Sequence, residues 1–388
     1  MKKALLLLAI GTLVLGACQK DPQNETPSKD SELTGEKVDV SGISKVVNKI
    51  FVLNEGGMGS NNATLDFLRI SDGNYITDAF KKMNPDAAAG LGDVGNDIVI
   101  IGDEAWIVVN NSGIVEVLSA KDETEIAAIQ VATPRFIAFD DKYAYVSSWA
   151  GAYATYSYDA STGSSSITDY KNPKGQVYRI DLKTKKVEGN VEVGYQPEGL
   201  ACYGGKLYVA NSGGISSQLP PNYAYDNTVS VIDTKTFKIE KTITAVVNLK
   251  NVYADKAGKI YVTTLGNYYD VHSGLYAIDG ENVTKVTDYV SVSAIKDDTI
   301  FVIGTDSEFD WSATSHEYKA YSVKNVTKTE ITLPVSGTPY GLAAINSTTF
   351  LVADAGDYFN PGTISCYSNG TKAWTVTAGV CPGHFAIY

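Results

Sequence analysis

Residues able to carry chemistry are few in this chain and lie far apart. Its 388 residues include three histidines, His272, His316 and His384. No HExxH, paired-cysteine or His-rich pattern surrounds them, so the sequence offers no zinc site. Neither a GxSxG elbow nor a P-loop occurs. The stretch DSEFD (306–310) alternates carboxylates that could meet Ca²⁺, yet it lacks the glycine and distal glutamate of a calcium loop and reads as a solvated acidic loop. In WSATSHEY (311–318) a serine stands near a histidine with neither an Asp nor an oxyanion partner specified. One acid–base pair is worth naming, Glu198 with His384, which a lyase or hydrolase would need at a common mouth.

A second kind of chemistry is much denser. Trp149, Tyr153, Tyr156, Tyr158, Tyr170, Tyr223, Tyr225, Tyr268, Tyr269, Phe309, Trp311, Tyr358 and Phe359 all fall between expected strands, beside Asn, Ser and Gly. Rigid rings give contact area at low entropic cost, and small polar neighbours give adaptable hydrogen bonds. Arg135, Tyr195, Asn211 and Tyr340 stand close to the same segments and complete the candidate ligand-binding set.

What must hold these residues is a repeat. The stretch QPEGLACYGGKLYVANSGG (196–214) reads as two short strands about a Gly-Gly turn. Its grammar recurs in TPRFIAFDDKYAYVSSWAG (133–151) and TPYGLAAINSTTFLVADAGD (338–357), with looser copies at 94–113, 248–267 and 290–308. Second strands are anchored at Phe51, Ile107, Tyr145, Tyr208, Tyr261, Phe301 and Leu351, about 50 residues apart. A third and a fourth strand follow, so each unit is a four-stranded antiparallel blade. CPGHFAIY (381–388) is a first strand without a second, and NKIFVLNEGG (48–57) a second without a first. The termini therefore share one blade, and the expected fold is all-β: a seven-bladed β-propeller of four-stranded blades, closed by pairing of its N- and C-terminal strands.

Chain direction alternates along each blade. Loops from second to third strands thus share one face with the approaches to the first strands, which line the channel. Those loops are long (147–175, 211–227, 305–318), whereas the turns of the other face are short. Long loops in a compact domain are usually functional.

A net charge of −12 and a pI near 4.8 argue against nucleic acid and anionic membrane surfaces. MKKALLLLAIGTLVLGAC reads as a lipoprotein signal peptide (1–17) ending at a lipidated Cys18, with an apolar run too short to span a membrane. Residues 18–45 are polar and aperiodic and read as the lipidated cysteine with a flexible tether, leaving 46–388 for the propeller. Cys202, Cys366 and Cys381 are expected as buried free thiols, with a Cys366–Cys381 bridge as the alternative.

The lipobox, tether and blades carrying P-x-G-L-A…Y-V-A-N…V-x-V-I-D resemble the surface propeller lipoproteins of gut Bacteroidetes. The opening NEGGMGSNNATLDFL and the aromatic face are most similar to their cobalamin-capturing BtuG group. That resemblance implies a non-enzymatic, lipid-anchored protein at the outer membrane that requires no cofactor and binds cobalamin as its ligand. It implies hand-over to a BtuB-like TonB-dependent outer-membrane transporter. Rings would cover the macrocycle, amides would pair with Asn and Ser, and Arg135 would meet the phosphate. A glycan- or peptide-binding adhesin, or less readily a propeller lyase, would suit the same loops.

Overall fold

All seven second-strand anchors lie in strands that neighbouring blades bury. In Glu104–Val109, for example, every residue beyond the first is buried, because blades stack face to face and cover both sides of their middle strands. Fourth strands such as Lys186–Glu192 keep the half-exposed pattern of an outer edge. In the computed structural model, which describes residues 29–87, 90–219, 223–308 and 315–388, seven antiparallel blades form a closed ring.

Blade 2 runs Gly95–Ile101, Glu104–Val109, Ile114–Ser119 and Glu125–Gln130 from axis to rim. Blades 3 to 7 repeat the order, with inner strands Pro134–Phe139, Pro197–Tyr203, Leu249–Ala254, Val292–Lys296 and Pro339–Ala344. Blade 1 takes its inner strand, Pro382–Ile387, from the C-terminus and pairs it with Lys49–Asn54. The core is divided among seven apolar clusters, one at each interface between adjacent blades.

The recurring P-x-G-L-A has a steric cause. A Cβ on Gly199 would lie 2.7 Å from the Lys250 carbonyl oxygen of the next inner strand, and one on Gly341 would lie 2.5 Å from that of Gly383. Inner strands converge on the axis, and only glycine lets their backbones approach so closely.

Every inner strand is approached through a left-handed residue: Val94, Thr133, Gln196, Asn248, Tyr289, Gly337 and Cys381. In five blades the carbonyl of this residue accepts the N–H of the first residue after the second strand, namely Asn110, Trp149, Ser212, Leu265 and Glu55. This repeated bond ties the root of each long loop to the mouth of the channel.

Two expectations need correction. Residues 29–45 are not tether. Glu36–Lys37 adds a fifth strand to the rim of blade 1, Ile43 is buried, and the Trp374 indole donates to the Asp39 carbonyl at 2.8 Å. Asp30 is fully buried, with its carboxylate 2.9 Å from the Lys49 ammonium, which also meets Glu123 at 2.6 Å. The segment holds because it supplies apolar cover and completes a buried ion cluster. The signal peptide, Cys18 and residues 19–28 lie outside the described residues. The loop 147–175 is itself partly regular, since Tyr153–Asp159 and Ser164–Lys171 pair as a hairpin. Among the described residues Cys202, Cys366 and Cys381 are free thiols, and no helix is long and apolar enough to cross a membrane.

Candidate ligand-binding cup and axial channel

The second residue of each inner strand points the chemistry at the mouth. Asn96, Arg135, Lys250, Tyr340 and Gly383 occupy this position in five blades and border an axial channel of about 670 Å³, together with Glu55, Asp97 and His384. Glu198, the same position in blade 4, turns instead into a cleft of about 320 Å³ beside the channel. Trp149, Tyr225 and Tyr268 line this cleft with Ile215 and Gln218, and Arg135, Lys250 and Leu265 border both spaces. The loops of blades 3, 4 and 5 therefore meet over one cup.

Contacts between loops confirm that they share a face. The Tyr156 hydroxyl donates to Gln218 Oε1 at 2.8 Å, and Asn172 Nδ2 reaches the Ser216 hydroxyl at 3.0 Å. His272 Nδ1 meets Glu308 at 2.9 Å, which also takes the Ser273 N–H at 3.0 Å. Within blade 7, Tyr340 of the inner strand and Tyr358 of the loop stack edge to face with centroids 5.7 Å apart.

The wall of the cup is a clamp. Arg135 Nε and Nη2 both donate to Glu198 Oε2 at 3.0 Å, and the Trp149 indole donates to Oε1 at 3.1 Å. The guanidinium carbon lies 4.5 Å from the centre of the Trp149 ring. Burial raises the Glu198 carboxyl above its ordinary range, against the Arg135 charge and hydrogen bonds. A stacked cation and a shared carboxylate thus fix the ring in one orientation.

Across the mouth, Glu55 accepts from the Tyr340 hydroxyl at 2.6 Å and meets His384 Nε2 at 3.0 Å. Burial alone would raise its carboxyl, but His384, Tyr340 and the charge of Lys250 together hold it below the usual range. His384 Nδ1 stands 4.0 Å from Asp97, whose carboxyl burial pushes up against the His384 charge.

Of the expected ligand set, Trp149, Tyr225 and Tyr268 come together in the cup, and Tyr340 at the channel. Tyr156, Tyr153 and Tyr158 lie on the exposed hairpin, with the Tyr153 hydroxyl bonded to Asp169 at 2.8 Å. Tyr223, Tyr269, Tyr358 and Phe359 are exposed on the loops, and Tyr269 and Phe359 remain 86% accessible. Trp311 and Phe309 lie outside the described residues.

Three placements are corrected. Asn211 is fully buried, and its amide joins Gly194, Thr228 and Ser230 inside blade 4. Tyr195 faces a flank groove of blade 4 shared with Glu192 and Ile239. Arg135 borders cup and channel but is paired through Nε and Nη2 with Glu198 rather than standing as a free cation. The acid–base pair of Glu198 and His384 does not form either, since each is paired elsewhere. Glu308 of the acidic loop is spent on His272 and Ser273, and His316 Nδ1 lies 2.8 Å from the Ser307 hydroxyl. Lys250, Glu55 and Asn96 escape a reading of the sequence by residue type. Repeat register would have found Lys250 and Asn96, the counterparts of the x in P-x-G-L-A.

No protein-family model and no curated protein matches the chain. Solved structures do. Hydrazine synthase of Kuenenia stuttgartiensis aligns at 14% identity over 75% of this chain and 88% of that one, with a TM-score of 0.55. A functionally unknown protein from Desulfotomaculum acetoxidans aligns at 11% identity over 88% and 98%, with a TM-score of 0.56. At such identities these likenesses extend to the propeller fold alone.

Proposed function

We propose that this chain is a non-enzymatic receptor for corrinoids, carried at the outer membrane on a lipidated Cys18, that captures cobalamin on its loop-bearing face and passes it to a TonB-dependent transporter of the BtuB type. The observation that carries the reading is the convergence of Trp149, Tyr225 and Tyr268, from three blades, on one cleft open to the axial channel. A corrinoid offers a broad, partly apolar macrocycle edged with carboxamides. Fixed rings suit its faces, and Gln218 and loop backbone suit its amides. Rigid walls leave little ordering to be done on binding, which favours high affinity. The sequence resemblance supplies the ligand class and the transporter.

The test is a mixture of the purified protein with cyanocobalamin passed over a desalting column. Red protein at one equivalent is expected, with retention reduced at least tenfold in Tyr225→Ala and Tyr268→Ala at unchanged melting temperature. Colourless protein, with saturable retention of a glycan instead, would replace the corrinoid reading by that of an adhesin.

A further inference from the structure

Where the cup meets the channel, one cation has no partner among the described residues. Lys250, second in the inner strand of blade 5, is half-buried and borders both the cup and the channel. It lies within electrostatic reach of Glu55 and Glu198, since its charge favours the ionised form of each, against the burial that raises the Glu198 carboxyl. Yet neither carboxylate lies within ion-pair distance of it. Both are already engaged: Glu198 takes two donors from Arg135 and one from Trp149, and Glu55 takes Tyr340 and His384. The third acid at the mouth, Asp97, accepts the N–H groups of Ile98 and Ile137 and faces His384. The acids of the mouth are thus answered by other groups, and among the described residues none takes the ammonium donors of Lys250, which are left for whatever fills the neck. A partly desolvated ammonium without a fixed partner is costly unless a ligand or water supplies one.

We infer that Lys250 is an anion subsite of the cup, binding a single oxyanion of the ligand while the rings of Trp149, Tyr225 and Tyr268 cover its apolar part. For the identity of the anion this rests on the corrinoid reading, in which the oxyanion is the phosphodiester of the nucleotide loop; the subsite itself does not. Arg135, expected from the sequence to meet the phosphate, is instead spent on orienting Trp149. The arrangement separates two tasks: Arg135 makes the wall, and Lys250 reads the charge.

The test is calorimetric titration of the wild type, Lys250→Met and Lys250→Arg with three probes: cyanocobalamin, dicyanocobinamide, which keeps the macrocycle but lacks the phosphodiester, and phenyl phosphate. Lys250→Met should lose about ten- to a hundredfold in affinity for cyanocobalamin, the worth of one charge-assisted hydrogen bond. It should keep its affinity for dicyanocobinamide, and Lys250→Arg should recover most of the loss. The wild-type affinity for cyanocobalamin should also weaken with added salt, and that of Lys250→Met should not. Equal losses for both corrinoids, or none for either, would overturn the subsite. If the wild type ignored both corrinoids but bound phenyl phosphate in a Lys250-dependent way, the corrinoid reading would fall and the subsite would stand. Binding of none of the three would remove both.

Discussion

At the scale of single residues, this protein places charge where it sets geometry. Glu198 is the clearest case, holding Arg135 and Trp149 together at the edge of the cup. Replacing Trp149 by Ala therefore removes a clamp as well as a ring, so Tyr225 and Tyr268 are the cleaner probes of binding. A different buried carboxylate gives a prediction about stability. Glu116, in the third strand of blade 2, is pushed by burial, and secondarily by Glu125, from 4.5 up to about 7. The folded chain thus binds this proton more tightly than the unfolded chain does. Its contribution is most favourable below 4.5 and is lost as pH rises towards about 7, beyond which it stays constant. Glu116→Gln should stabilise the protein by roughly 1–3 kcal/mol above about pH 7.5 and change little near pH 4.5. Thermal melts of both proteins at the two pH values check this, and an equal shift at both would contradict it. Residue roles were the least legible part of the sequence. Asn211 and Arg135 have the right types for a ligand but are consumed by the protein. Lys250 looked like an ordinary strand lysine until register placed it at the mouth.

At the scale of elements, legibility followed burial. Second strands were readable because two neighbouring blades bury them, leaving apolar runs such as AWIVV and IFVIG. The hairpin Tyr153–Asp159 and Ser164–Lys171 was not readable, because nearly all its residues are exposed on both faces and no alternation betrays it. The strap 29–45 was missed for the opposite reason: a polar, aperiodic segment is held by one buried ion cluster and by Ile43 rather than by a pattern. An isolated two-stranded hairpin is marginal in water, so this one contributes little to the fold. Replacing residues 153–171 by a short Gly-Ser turn should move the melting temperature by no more than a few degrees, while removing the Tyr156 hydroxyl bonded to Gln218 of the cup and weakening ligand retention. A scanning-calorimetry trace with a large loss of stability would show instead that the hairpin props up blade 3.

At the scale of the whole molecule, the ring explains both the repeat and the function proposed for it. Seven apolar clusters join seven blades, and the one between blades 7 and 1 includes residues from both ends of the chain. Deleting residues 382–388 removes the inner strand of blade 1, uncovering Ile50 and Leu53 at the axis. The expected cost exceeds about 5 kcal/mol, comparable to the whole stability of many domains. The truncated chain should fail to give a cooperative melt, and a truncated protein melting like the intact one would refute closure as a source of stability. The same closed scaffold leaves one end plain and loads the other with loops, because alternating strands send every second-to-third connection to one face. The account stands on that asymmetry being the ligand face. Its most direct test is hydrogen–deuterium exchange of the protein with and without cyanocobalamin. Slower exchange is expected in 147–175, 211–219, 248–251 and 264–273, with the turns at 140–142, 203–206 and 254–259 unaffected. Protection of those turns, or of no segment at all, would contradict it.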